Sequence, residues 1–124
     1  LSWTVEGSFK GADIKFDFTT SFQFLANSIH KNAKEKGFYN TPPSDIERIA
    51  LMMEELGDAI KAIRAKEMPQ DEHCPEYTRL EIKLADTIIR IMDYSVYRNL
   101  RIDAAILAKI EANANRPFMH GKKI

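Results

Sequence analysis

Carboxylates recur in this sequence at spacings that set them side by side. Glu54-Glu-Leu-Gly-Asp58 puts Glu55 and Asp58 three residues apart, neighbours on one face of a helix, with Glu54 beside them. Acids packed this way repel one another unless a cation or a basic side chain neutralises them. A second line, Lys83, Asp86, Arg90, Asp93 and Tyr97, advances in steps of three and four, so all five project from one side of a helix. Magnesium is a hard ion that prefers oxygen ligands, and it often takes one or two carboxylates plus the phosphates of a substrate. Two antiparallel helices presenting acids to one cleft could build such a site. The competing reading of the same residues is a solvated face laced with internal salt bridges.

The pattern supplies the helices these residues need. Thr19 or Thr20 can cap a first helix running to about Lys36, with Phe22, Leu25, Ile29 and Ala33 at helical spacing and Gly37 as its stop. Phe38-Tyr-Asn-Thr-Pro-Pro43 is a loop, because paired prolines cannot continue a helix. Ser44-Asp-Ile-Glu47 is a capping box that opens a second helix, with Ile46, Ile49, Met53, Leu56, Ile60 and Ile63 expected as its buried face and its end near Lys66. After a loop over Met68–Pro75, a third helix is expected from about Glu76 to Asn99, and a fourth from Asp103 as cap to about Asn115. The third is apolar on two flanks: Leu80, Leu84, Ile88 and Ile91 on one, Ile82, Ala85, Ile89, Met92 and Val96 on the other. Either it is central in the fold or its second flank meets another subunit. We expect a homo-oligomer, for which a two-fold dimer is the commonest solution.

Residues 1–18 read differently. Ile14, Phe16 and Phe18 alternate with Lys15 and Asp17 in the strand period, and Lys10-Gly-Ala could turn a hairpin with Trp3–Phe9. A frayed or tag-derived tail is the other reading. The expectation is an all-α chain: a four-helix domain over 19–124 behind a short extension, hairpin or tail, over 1–18.

Composition narrows the function classes. The chain has 124 residues, enough for one domain, and 18 basic against 18 acidic side chains. A net charge of zero argues against non-specific nucleic-acid binding and against attraction to a membrane surface. Its one cysteine, Cys74, cannot form an intrachain disulfide, which points to a reducing cytoplasm. No apolar run approaches the roughly 20 residues of a membrane span, and no secretory pattern is evident. His73-Cys74 offers too few ligands for zinc.

Order and spacing together make the chain recognisable. Glu54-Glu-Leu-Gly-Asp-Ala-Ile-Lys-Ala-Ile-Arg64, Leu84-Ala-Asp-Thr-Ile-Ile-Arg-Ile-Met-Asp93, Lys109-x-x-x-Asn113-x-x-Arg-Pro117 and His120-Gly-Lys-Lys resemble the MazG-like all-α nucleoside triphosphate pyrophosphohydrolases. Glu35-Lys-Gly-Phe-Tyr39 looks like the loop after their first helix, and the resemblance covers roughly 20–124. It implies a helical bundle working as a homodimer or homotetramer, and cleavage of a (d)NTP to the monophosphate and pyrophosphate. The role it suggests is nucleotide house-cleaning. It also implies magnesium, or manganese in its place, held by acids on two helices.

Carried onto this sequence, the resemblance makes Glu55 and Asp58 the first acidic pair, metal-binding and catalytic, and Asp86 the last member of the second pair. Glu54 and Asp93 are further metal candidates. The residue three before Asp86 is normally glutamate, and here it is Lys83. Glu81 is five before Asp86, about 140° round the helix, and cannot reach the same ion. An ammonium at this position is expected to weaken metal binding, and pairing with Glu55 or Asp58 in place of the ion is the alternative it offers. Lys109, Asn113 and Arg116 suit phosphate and sugar oxygens, although a polar helix end favouring the dipole explains them too. Lys122, with Lys123, is a phosphate clamp or a solvated tail. His30, Phe38 and Tyr39 are base-pocket candidates, or plugs of the core.

Overall fold

A computed structural model describes residues 11–121, with side chains from 17 to 119. Its architecture is all-helical: α1 Gly11–Glu35, α2 Asp45–Arg64, α3 Arg79–Tyr97, α4 Ile102–Ala114 and a final 3-10 turn over Phe118–Gly121, with no strand among the described residues. Helix α3 is central, packing against both α1 and α2, while α4 packs on α1.

Local chemistry explains the boundaries. Gly37 takes φ +88° and closes α1, with Phe38 N–H donating to Ala33 and Gly37 N–H to Lys34. A Cβ there would also crowd the Asn40 amide at 3.2 Å. The Ser44 hydroxyl accepts from Glu47 N–H at 3.1 Å, the expected start of α2. Helix α3 starts at Arg79 instead of Glu76, because Thr78 and Glu81 cap each other reciprocally. Asp103 is not the cap of α4. Arg101 occupies that position with no side-chain bond, and Asp103 is buried in the first turn, accepting from Gln23 of α1 at 2.9 Å.

Where the sequence offered a strand or a tail over 12–18, the chain is helix. Helix α1 begins at Gly11 and runs through the boundary drawn at 18/19, and Phe18 packs on Phe22 one turn on, ring centroids 5.8 Å apart. A continuing helix satisfies its backbone residue by residue, whereas an isolated hairpin is marginal in water. The other expected arm of the hairpin, Trp3–Phe9, lies outside the described residues.

The larger correction concerns which way α2 faces. Ile46, Ile49, Met53, Leu56, Ile60 and Ile63, expected to be buried, are all exposed. Arg48, Met52, Glu55, Ala59 and Ala62 are buried instead. These five also follow helical spacing, and the alanines let α2 approach α3 closely. Similarly, the line Lys83, Asp86, Arg90, Asp93 and Tyr97 is no solvated face: Asp93 is buried and the other four are half-buried. Within one chain the polar faces of α2 and α3 look inward, and much of their apolar surface looks outward.

Candidate active site

The inward faces of α2 and α3 bring the two groups of acids together. Lys83 Nζ lies 3.6 Å from Glu55 Oε2 and 3.6 Å from Asp58 Oδ2, and an Arg90 Nη lies 3.5 Å from Glu55 Oε1. These are loose ion pairs, longer than good hydrogen bonds. Glu55 is 8 % exposed, and its Oε2 is buried without a hydrogen-bond partner. Burial pushes the Asp86 carboxyl above the usual range, and the charge of Glu55 and a hydrogen bond with it push the same way. The cations Lys83 and Arg90 offset that rise only in part. A proton on Asp86 therefore eases the crowding of the two carboxyl groups.

A second cluster is built on Asp93, one heptad beyond Asp86. Its Oδ1 meets His30 Nδ1 at 2.8 Å, and its Oδ2 accepts from the Tyr39 hydroxyl at 2.6 Å and from Arg48 Nη2. The His30 and Tyr39 rings meet edge to face at 4.7 Å, Tyr39 and Tyr97 lie 4.7 Å apart, and the Arg48 guanidinium stands 5.4 Å above Tyr39. Burial, then the bond to Asp93, raises the Tyr39 phenol far above its ordinary value, so it stays a donor. Asp93 thus has both oxygens engaged by α1, the following loop and α2.

Between the clusters lies a cleft of about 270 Å³. Ile29, Ala33, Phe38 and Ile89 give it apolar walls, Asn32 adds an amide, Glu55, Asp86 and Arg90 line one region and Arg48 and Asp93 another. Its size is near the lower end of ligand pockets. Arg90 stood in the polar line of α3 without an assigned role, and Arg48 was not singled out by sequence, although it stands seven residues before Glu55 on the same face of α2.

Other expected site residues stand elsewhere. Glu54 is exposed on α2. Lys109 and Asn113 belong to the end of α4, which packs on α1, Arg116 follows it, and none of them lines this cleft. Lys122 lies outside the described residues. Cys74 is exposed in a loop whose turn is made by Asp71, which accepts from the N–H groups of His73 and Cys74 at 2.9 Å. Among the described residues, no group of three or more His, Cys, Asp or Glu side chains is arranged to hold a metal ion, and no helix is long and apolar enough to cross a membrane. No family model, curated protein or solved structure matches the chain.

Proposed function

We propose that the chain is a MazG-like nucleoside triphosphate pyrophosphohydrolase. It splits a (d)NTP between the α and β phosphates and clears unwanted nucleotides from the cytoplasmic pool. The observation that carries this reading is the meeting of Glu55 with Asp86 across the α2–α3 interface, beside a cleft with apolar walls.

Magnesium, or manganese, fits this pair. Both donors are hard carboxylates, Glu55 Oε2 is buried without a hydrogen-bond partner, and Asp86 holds its proton more tightly than usual. A cation held by these carboxylates would relieve both conditions. One or two carboxylates suffice when substrate phosphates supply the other ligands, so a three-acid cage is not required. Bound there, the ion would neutralise phosphate charge and acidify a water. Glu55 would orient the attacking water and accept its proton, and Arg90 would offer a guanidinium to the phosphate oxygens. Asp58, already paired with Lys83, sets how far that ammonium leans over the acids.

One observation favours a second reading. Lys83 reaches both Glu55 and Asp58 and can stand in for part of the ion's charge. In that case the chain binds nucleotide without turning it over. The exposed apolar face of α2 supports assembly as a homodimer or homotetramer in either reading, since monomers rarely leave so large a contiguous patch open.

The test is chromatography of monophosphate and pyrophosphate after incubation with a panel of NTPs and dNTPs, with magnesium and with chelator. Magnesium-dependent release of both products supports the hydrolase. Binding without release supports the second reading, and neither binding nor release contradicts both.

A further inference from the structure

We infer that Arg48 is a specificity-determining residue of the α2–α3 cleft. It reads an uncharged keto oxygen on the ligand's base and favours uracil-, thymine-, guanine- or hypoxanthine-type bases over cytosine and adenine. This inference rests on the nucleotide reading above and goes beyond it by naming the class of base.

Arg48 is only 5 % exposed and lines the cleft. Its Nη2 is held by Asp93, and its planar group lies over the Tyr39 ring, so its position is fixed from two sides. Its Nε, however, is buried with no acceptor. A buried donor left unmade is costly, and an acceptor brought by a ligand removes that cost.

Charge decides what kind of acceptor. The carboxylate of Asp93 cancels the guanidinium of Arg48, so this region offers a directed N–H and little net attraction for a phosphate. Arg90 stands instead with Glu55 and Asp86, the pair proposed to hold magnesium and to receive the phosphates. The cleft therefore suits a ligand whose phosphates lie by Glu55, Asp86 and Arg90 and whose neutral acceptor meets Arg48. Phe38 and Ile89 supply apolar surface for a flat ring, and the Asn32 carbonyl can accept from the ring N–H beside a keto group.

Base edges differ in this respect. Keto bases present O4 or O6 as acceptors, whereas cytosine and adenine present an amino donor at the corresponding position. An amino group set against Arg48 leaves two donors facing each other. A site built to bond one group rejects the analogue lacking it more sharply than an apolar pocket can.

The experiment is calorimetric titration of the full chain with uridine and cytidine 5′-monophosphates, then with inosine and adenosine 5′-monophosphates. Hydrolysis plays no part in the readout. The wild type is expected to bind each keto member about tenfold more tightly. Arg48→Lys keeps a cation for Asp93 and removes Nε, and should bring the ratio close to one. Circular dichroism checks its fold, and Arg48→Gln combined with Asp93→Asn, which leaves neither charge stranded, serves if the lysine variant does not fold. Equal binding of keto and amino partners by the wild type, or an undiminished preference in the folded variant, overturns the inference and leaves the nucleotide reading standing. Failure of all four monophosphates to bind also overturns the inference, while the triphosphate panel above tests the nucleotide reading separately.

Discussion

Lys83 reaches from α3 to within 3.6 Å of Glu55 on α2. The MazG-like resemblance leads one to expect a glutamate at that position. An ammonium there both satisfies and obstructs the acids: it supplies charge that a cation would supply, and it stands where a ligand should be. Lys83→Glu is therefore expected to tighten magnesium binding and raise turnover. Magnesium titration of pyrophosphate release checks this. A fall in activity with intact fold would instead make Lys83 a contact to the phosphates.

Asp86 gives a pH signature. Its folded-state pKa is raised above the ordinary aspartate value. Its protonated form thus favours the fold: that contribution is complete below the unfolded pKa, near 3.8, and is lost as pH rises through the folded pKa. At neutral pH the group therefore opposes folding. Asp86→Asn should raise Tm at pH 7 in chelator, and the gain should shrink toward pH 4. Thermal melts at both pH values decide it, and a Tm lowered at pH 7 contradicts the account.

The buried pair Arg48–Asp93 should dominate the stability of the cleft. Both residues are 5 % exposed. Removing one charge strands the other, which typically costs about 3–5 kcal/mol. Asp93→Asn keeps the shape and part of the bonding, so a loss of about 3 kcal/mol in urea denaturation is expected. A cost under about 1 kcal/mol would show that Asp93 is not the keystone of the cluster.

The outward face of α2 should be a subunit interface. Met53 is 67 % exposed and Ile60 52 %. Met53→Glu with Ile60→Glu should reduce the mass measured by light scattering to that of one chain while helix content is kept. A wild type already monomeric at working concentration contradicts this prediction.

Local signals were legible in the sequence, and directions were not. Ser44 as cap, Gly37 as stop and the shared face of Glu55 and Asp58 depend on neighbours within one turn, whereas the pairing of Lys83 with these acids joins α3 to α2. Which face of α2 meets α3 depends on partners. Period counting finds the stripe from Ile46 to Ile63, but it cannot tell a core from an outer contact when small and polar residues share the same period. Arg48 was missed for that reason, since a buried guanidinium is intelligible only once Asp93 is found opposite. Asp103 was read as a cap because its type suits one, and its role came from Gln23, 80 residues away. At 12–18, a brief alternation of aromatics gave way to the helix continuing behind it.

Glu55, opposed to Asp86, is the residue we propose for magnesium-dependent hydrolysis of a nucleoside triphosphate. The most direct measurement is pyrophosphate release by wild type and Glu55→Gln side by side, each shown to be folded, on the best triphosphate of the panel. The account predicts magnesium-dependent release by the wild type and a loss of at least about a hundredfold in the variant, the scale of a positioned acid–base group. Equal release by both proteins would remove Glu55 from the chemistry and contradict it.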